Sequence, residues 1–340
     1  MEKIVMEKKI EFLLPEVTHA PADTHLLSLL LPHHFTWDWI SSNFINIVID
    51  KNTYWDEFYR ITTWSGCPYI LDSAITRDVA EVCIDNFVKF VINIIDQGYC
   101  VWTSINRYPV ELYKCNARDQ CHNPLIIGYD DLERVFLVAE FLPDKIYSIK
   151  KIPFEQLECA YNMYPMAKEN YPHKKIRLAK VYDSHFFEFS YRDLIYKLEE
   201  YLDAENLYKK YHYGVYRTGA IIGGAQGEQY EFGMGYYKAL NELVNFDFGD
   251  IYFRPFQLLV FKNYVHKIRI THLKMRGVNL NCEYDLDSLV KETLSLRNLV
   301  LKSNVSRRNY SNELKKQLVK TEILDSQFCQ KLINDLKPYM

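Results

Sequence analysis

His122 and Glu140 are the residues whose types and spacing speak most directly of chemistry. His122 stands before the run Pro124-Leu125-Ile126-Ile127-Gly128-Tyr129-Asp130-Asp131, and Glu140 closes a second apolar run, Val135-Phe136-Leu137-Val138-Ala139. Two such runs joined by a short turn predict a hairpin. Across that hairpin the 18-residue spacing would bring the imidazole and the carboxylate together. An imidazole held by a carboxylate is a general base of fixed tautomer. A thiol nucleophile for such a base belongs at a helix N-terminus, where the macrodipole lowers its pKa and backbone N–H groups can hold an oxyanion. Residues 22–31 follow Pro21 and precede Pro32, and they predict a buried helix that begins at position 22. Asp23 is expected to cap that helix. His25, three residues on from Ala22, either lines the same cleft or is a plain first-turn residue.

Other groups compete for attention. Cys67, in Ser65-Gly66-Cys67-Pro68, is the rival nucleophile; its ordinary reading is a half-buried structural thiol. Cys121 adjoins His122, but neighbours on a strand point to opposite faces. His33-His34 lacks an evident third ligand, so no metal site is expected. Gly223-Gly224-Ala225-Gln226-Gly227 has no following Lys-Ser/Thr and is not a phosphate loop. No cofactor is implied.

The elements that must position these groups change character along the chain. After a strand-like lead-in at 5–17, one amphipathic helix is expected over 77–97, with Val79, Val82, Cys83, Phe87, Val91 and Ile94 on its apolar face. Strands follow at 99–105, 124–129, 134–141 and 145–150, then a helix at 153–161; short turns between them make the sheet antiparallel. Past 170, a strand pair is expected within 176–190, at 176–182 and 186–189. Helices are expected at 191–203, 229–245, 255–275, 286–302 and 311–336. Seven of the twelve glycines lie between Gly214 and Gly235, a segment read as a loop or a lid over a substrate channel. The class is α+β. At 340 residues two domains are expected, 1–165 carrying the chemistry and 166–340 mainly helical, covering the cleft.

Composition narrows the field. A net charge of −3 without a long basic run disfavours nucleic acid, and Ser306-Arg307-Arg308 reads as solvated surface. Eight cysteines without CxxC spacing, no apolar leader and no membrane-length apolar run suggest a cytoplasmic protein with free thiols. The 27 Tyr, 19 Phe and 5 Trp suit an aromatic-lined cleft.

In combination, these motifs resemble the family with a domain like the N-terminal half of butirosin biosynthesis protein H. The matching residues are Ala22 with Leu26 and Leu27, His122 with Gly128-Tyr129-Asp130-Asp131, and Val138-Ala139-Glu140-Phe141. More loosely, the run from Arg254-Pro255-Phe256 through Lys262, His266, Arg269 and Leu273 is similar to the family's closing helix. The resemblance implies a papain-like fold with a Cys–His–acid triad at positions 22, 122 and 140. Independently of the resemblance, Asp23, His25, Trp102 and Tyr129 are taken as candidate substrate contacts. The resemblance also implies an acyltransferase that takes an acyl group from the phosphopantetheine thioester of a carrier protein and gives it to an amine. A similar amide-forming enzyme of closthioamide biosynthesis, a nonribosomal-type pathway, uses a diamine. Two departures stand out. Position 22 is Ala where the pattern has Cys, which reads either as a substituted inactive form or as a natural non-catalytic homologue that binds natural product or carrier protein. Glu140 stands where Asp or Asn is more usual. A peptidase is a third reading.

Overall fold

The computed structural model describes residues 7–58, 64, 66–114, 120–142, 145–164, 175–183, 187–207, 210, 215–217, 220–222, 229–245 and 252–340. Its centre is an antiparallel sheet. In spatial order it runs β10 (Tyr147–Pro153), β9 (Val135–Phe141), β8 (Leu125–Asp130), β5 (Cys100–Thr103), β11 (Lys175–Val181) and β4 (Ile70–Thr76). The edge of β8 is shared. Val101 and Trp102 of β5 pair with its start, and β1 (Glu7–Lys9) pairs with its end, Lys9 opposite Gly128. The close approach of β1 explains the glycine, because a Cβ at 128 would lie 2.5 Å from the Lys8 carbonyl oxygen.

Alternation along these strands divides the interior in two. Val101, Ile126, Phe136, Val138 and Ile152 pack with Ala80, Phe87, Val91, Phe154 and Leu157 from helices α3 (Arg77–Cys83), α4 (Phe87–Asp96) and α5 (Phe154–Asn162). Cys100, Trp102, Leu125, Leu137 and Ala139 face the other way. They join α1 (Pro21–Leu30), α2 (Trp37–Ser42), α6 (Tyr191–Leu202), α7 (Gly235–Val244), α8 (Arg254–Met275), α9 (Glu283–Ser306) and α10 (Ser311–Leu336) in one larger core. A small sheet of β2 (Ile47–Asp50), β3 (Asp56–Phe58) and β14 (Tyr230–Phe232) sits on this side, and a hairpin of β12 (Val215–Arg217) and β13 (Ala220–Ile222) precedes β14. The α+β expectation holds at this level.

Several expectations need correction. The helix expected over 77–97 is two helices. Ile84 is extended, and Asn86 restarts the helix by accepting the Lys89 N–H at 2.7 Å, so Val79 and Val82 face solvent while Phe87, Val91 and Ile95 are buried. The strand at 175–181 lies between β5 and β4 and does not pair with 187–189; residue 186 of the expected partner falls outside the described residues. A boundary at 165 would therefore cut the central sheet. The segment 229–245 opens as strand β14 before becoming α7. Between them Gly233 has φ +51°, and a Cβ there would lie 2.2 Å from the Tyr201 carbonyl oxygen. The Gly223–Gly227 run falls outside the described residues, as does Cys115. Among the described residues no helix is long and apolar enough to cross a membrane.

α8 shows how the larger core accommodates charge. Lys262, His266 and Arg269 are buried on it, and each is held by a polar partner. Lys262 Nζ meets Asp325 Oδ2 of α10 at 2.5 Å. Arg269 donates at 2.6 Å to the carbonyls of Ser41 and Asn43, at the C-terminal end of α2, and also lies against His266 Nδ1. These three side chains of α8 are thus engaged within the core.

Candidate functional site

The pair expected from sequence is brought together. β6 (Ile105–Asn106) and β7 (Cys121–His122) pair with Ile105 opposite His122, and the β8–β9 register sets Leu125 opposite Ala139. His122 therefore reaches Glu140 diagonally: Nδ1 lies 2.6 Å from Glu140 Oε2. The Phe141 N–H donates to Oε1 at 2.5 Å, and the buried Tyr113 hydroxyl lies 3.5 Å from Oε2. With its carboxylate engaged in this way, Glu140 fixes the ring: Nδ1 carries the proton and Nε2 is left as the basic nitrogen. The carboxylate is buried at 2% side-chain exposure while the imidazole keeps 24%, so the ring remains accessible to a reactant.

α1 begins one residue earlier than position 22. Ala20 is the N-cap and Pro21 the first helical residue, so Ala22 and Asp23 lie in the turn whose N–H groups have no acceptor within the helix. Leu26, Leu27, Leu29 and Leu30 bury the rest of the helix on all sides. Asp23 does not cap the helix. Its Oδ2 lies 3.0 Å from His19 Nδ1, and His19 Nε2 lies 3.1 Å from Asp56 Oδ2. Arg254 closes this cluster on Asp56, with Nε 2.9 Å from Oδ1, and stacks on Trp55. Burial lowers the His19 pKa, but Asp56 and hydrogen bonds to both acids outweigh it and the net direction is up. Burial would raise Asp56; His19 and Arg254 reverse this and hold it low.

The start of α1 reaches His122 through aromatic rings. The Ala22 carbonyl accepts the Trp64 indole N–H at 3.1 Å, and Trp64 stacks on Trp102 with centroids 4.8 Å apart. Trp102 donates at 3.0 Å to the carbonyl of Asn123, the residue after His122. By strand alternation Glu140 and His122 belong to the α4–α5 side, together with Ile105 and Tyr113, whereas Trp102 and His25 belong to the α1 side. Asn123 is the junction between them.

Three of the expected substrate contacts are otherwise engaged. Trp102 is buried with its N–H committed to Asn123. His25 is fully buried with both nitrogens occupied, by the Tyr147 hydroxyl at 2.6 Å and the Asn123 carbonyl at 3.2 Å. Tyr129 sits in the other core, donating to Asp96 at 2.9 Å. Asp23, the fourth, is spent on His19. The rival Cys67 is buried, and burial pushes its thiol up to about 12, which suppresses the reactive thiolate. Among the described residues no group of His, Cys, Asp and Glu is arranged to hold a metal ion.

Sequence reasoning missed Asn123, Trp64, Tyr147 and the His19 cluster. Only the four-residue spacing of His19 and Asp23 carried a local signal. No protein-family model and no curated protein matches the chain.

Proposed function

We propose that this chain has the architecture of a papain-like acyltransferase and that Ala22 occupies the nucleophile position. The observation that carries the reading is the His122–Glu140 pair, with one imidazole nitrogen fixed at 2.6 Å and the ring partly open. Support also comes from the first-turn N–H groups of α1, which suit an oxyanion.

With a cysteine at position 22, its thiolate attacks the thioester carbonyl of an acyl group on a carrier protein's phosphopantetheine. The C–S bond to the carrier breaks, and the departing thiolate takes the proton held by His122 and leaves as the free thiol. An amine or diamine then attacks the acyl-enzyme, His122 Nε2 accepts the amine proton, and the amide leaves as the cysteine thiolate is regenerated. Aromatic surroundings that exclude water favour amine over hydrolysis. The reading needs neither nucleic acid nor membrane, and it fits amide formation of the closthioamide kind.

The test is Ala22→Cys protein incubated with a pantetheine-linked acyl thioester and a diamine, followed by mass spectrometry of the small molecules. Amide formation by the Ala22→Cys protein, and none by the Ala22 parent, is expected. Peptide cleavage without amide formation would replace the reading with a peptidase. The Ala22 chain itself favours a second reading, a binder of acyl carrier or product, which predicts retention of the thioester without turnover.

A further inference from the structure

We infer that His25 is a positioning residue: through the Asn123 carbonyl it ties the first turns of α1 to the strand that carries His122. That carbonyl accepts two N–H groups from the α1 side, His25 Nε2 at 3.2 Å and Trp102 Nε1 at 3.0 Å. The Asn123 side chain is held as well, its Oδ1 accepting from Ser104 Oγ at 2.6 Å. A carbonyl cannot donate, so His25 carries its proton on Nε2, and Nδ1 receives the Tyr147 hydroxyl at 2.6 Å. The ring is locked edge-on against Trp102, with centroids 5.8 Å apart.

The consequence follows from chain connectivity. Asn123 is bonded to His122, so a displacement of its backbone displaces the imidazole, and the 2.6 Å bond to Glu140 tolerates little displacement. Position 22 lies one turn before His25 on the same helix face. His25 therefore sets how position 22 sits relative to His122. Burial holds its pKa near 3, with a smaller downward push from His122, so it remains uncharged and does not act as a second base. This explains why a buried polar ring occupies an otherwise leucine-rich helix. Its kinetic consequence rests on the acyl-transfer reading; the tie itself does not.

The experiment uses the full chain with labelled histidine and follows the His122 Nδ1–H resonance by NMR, alongside thermal melting. His25→Gln keeps an N–H where Nε2 stood, His25→Leu removes it, and Trp102→Phe removes the second donor while keeping a ring. The His122 N–H signal is expected in the parent and in His25→Gln, and is expected to be broadened or lost in His25→Leu. In the Ala22→Cys background, His25→Leu and Trp102→Phe are expected to lower kcat by about tenfold or more with KM little changed, and His25→Gln to restore most of it. A folded His25→Leu protein with the parental His122 signal overturns the proposal. If that variant does not fold, His25→Phe, which keeps a ring but has no N–H for the Asn123 carbonyl, takes its place, and a parental His122 signal there overturns the proposal. If the Ala22→Cys protein is inactive, the acyl-transfer reading fails, and the resonance alone decides the role of His25.

Discussion

At the end of β9 one carboxylate takes one nitrogen of His122 and leaves the other; before α1, two carboxylates take both nitrogens of His19. The first ring keeps 24% of its side-chain surface, and the second keeps none. Both sites contain a histidine and an acid at short distance, so residue type and proximity alone would rank them equally. Accessibility and the number of occupied nitrogens separate them. A base must have a nitrogen to offer, and an imidazole closed at both ends between acids, with Arg254 behind, is a pin between α1, β3 and α8.

That contrast can be broken at either site. The largest effect is expected for His122→Ala in the Ala22→Cys background, where acyl transfer should fall about 10²–10⁴-fold. Its stability, read by urea denaturation, should fall by about 1–3 kcal/mol, because the buried Glu140 carboxylate loses one partner but keeps the Phe141 N–H. Asp56→Ala should do the reverse in kind. It leaves the buried His19 and the half-buried Arg254 without their shared acid and should cost about 3–5 kcal/mol by the same measurement. An Asp56→Ala protein of parental stability would remove the structural side of the comparison. Glu140→Gln keeps the shape but weakens the fixing of the His122 tautomer, so kcat should fall about tenfold or more while a melt shifts only modestly.

The last effect, absent near neutral pH, is in pH dependence. Burial lowers His25 from its ordinary 6.5 to about 3. Between these values the unfolded chain holds a proton there that the folded chain does not, so stability falls as pH drops from about 6.5 toward 3. His25→Gln should make that decline shallower in a series of denaturation midpoints. His266, also lowered by burial, leaves part of the slope. His19 has the opposite sign: its contribution is complete below 6.5 and is lost as pH rises through its raised value.

The sequence made some of this legible for physical reasons. α1 announced itself by two prolines enclosing a leucine-rich run, and the β8–β9 hairpin by two apolar runs with a polar turn. The long helices α8, α9 and α10 lie close to the spans expected, 255–275, 286–302 and 311–336. What stayed hidden was set by distant partners. β4 is half exposed, with Leu71 facing solvent, so its alternation is blurred. β11 owes its central place to β5 and β4, many residues earlier. The turn at Gly233 is dictated by Tyr201. At the site, His122 and Glu140 could be read from the hairpin, but the engagement of His25 and Trp102 could not, because Asn123 and Tyr147 have no sequence pattern that assigns them as partners; for Asp23 only its four-residue spacing from His19 was a signal.

The central claim, that position 22 and the open imidazole of His122 form one reactive site, is tested most directly by peptide mapping of the Ala22→Cys protein after brief exposure to an acyl thioester without amine. The expected result is one acyl group on the introduced cysteine, formed far more slowly when His122 is replaced by alanine. Acylation at a different cysteine, or equal labelling of the introduced thiol with and without His122, would contradict it.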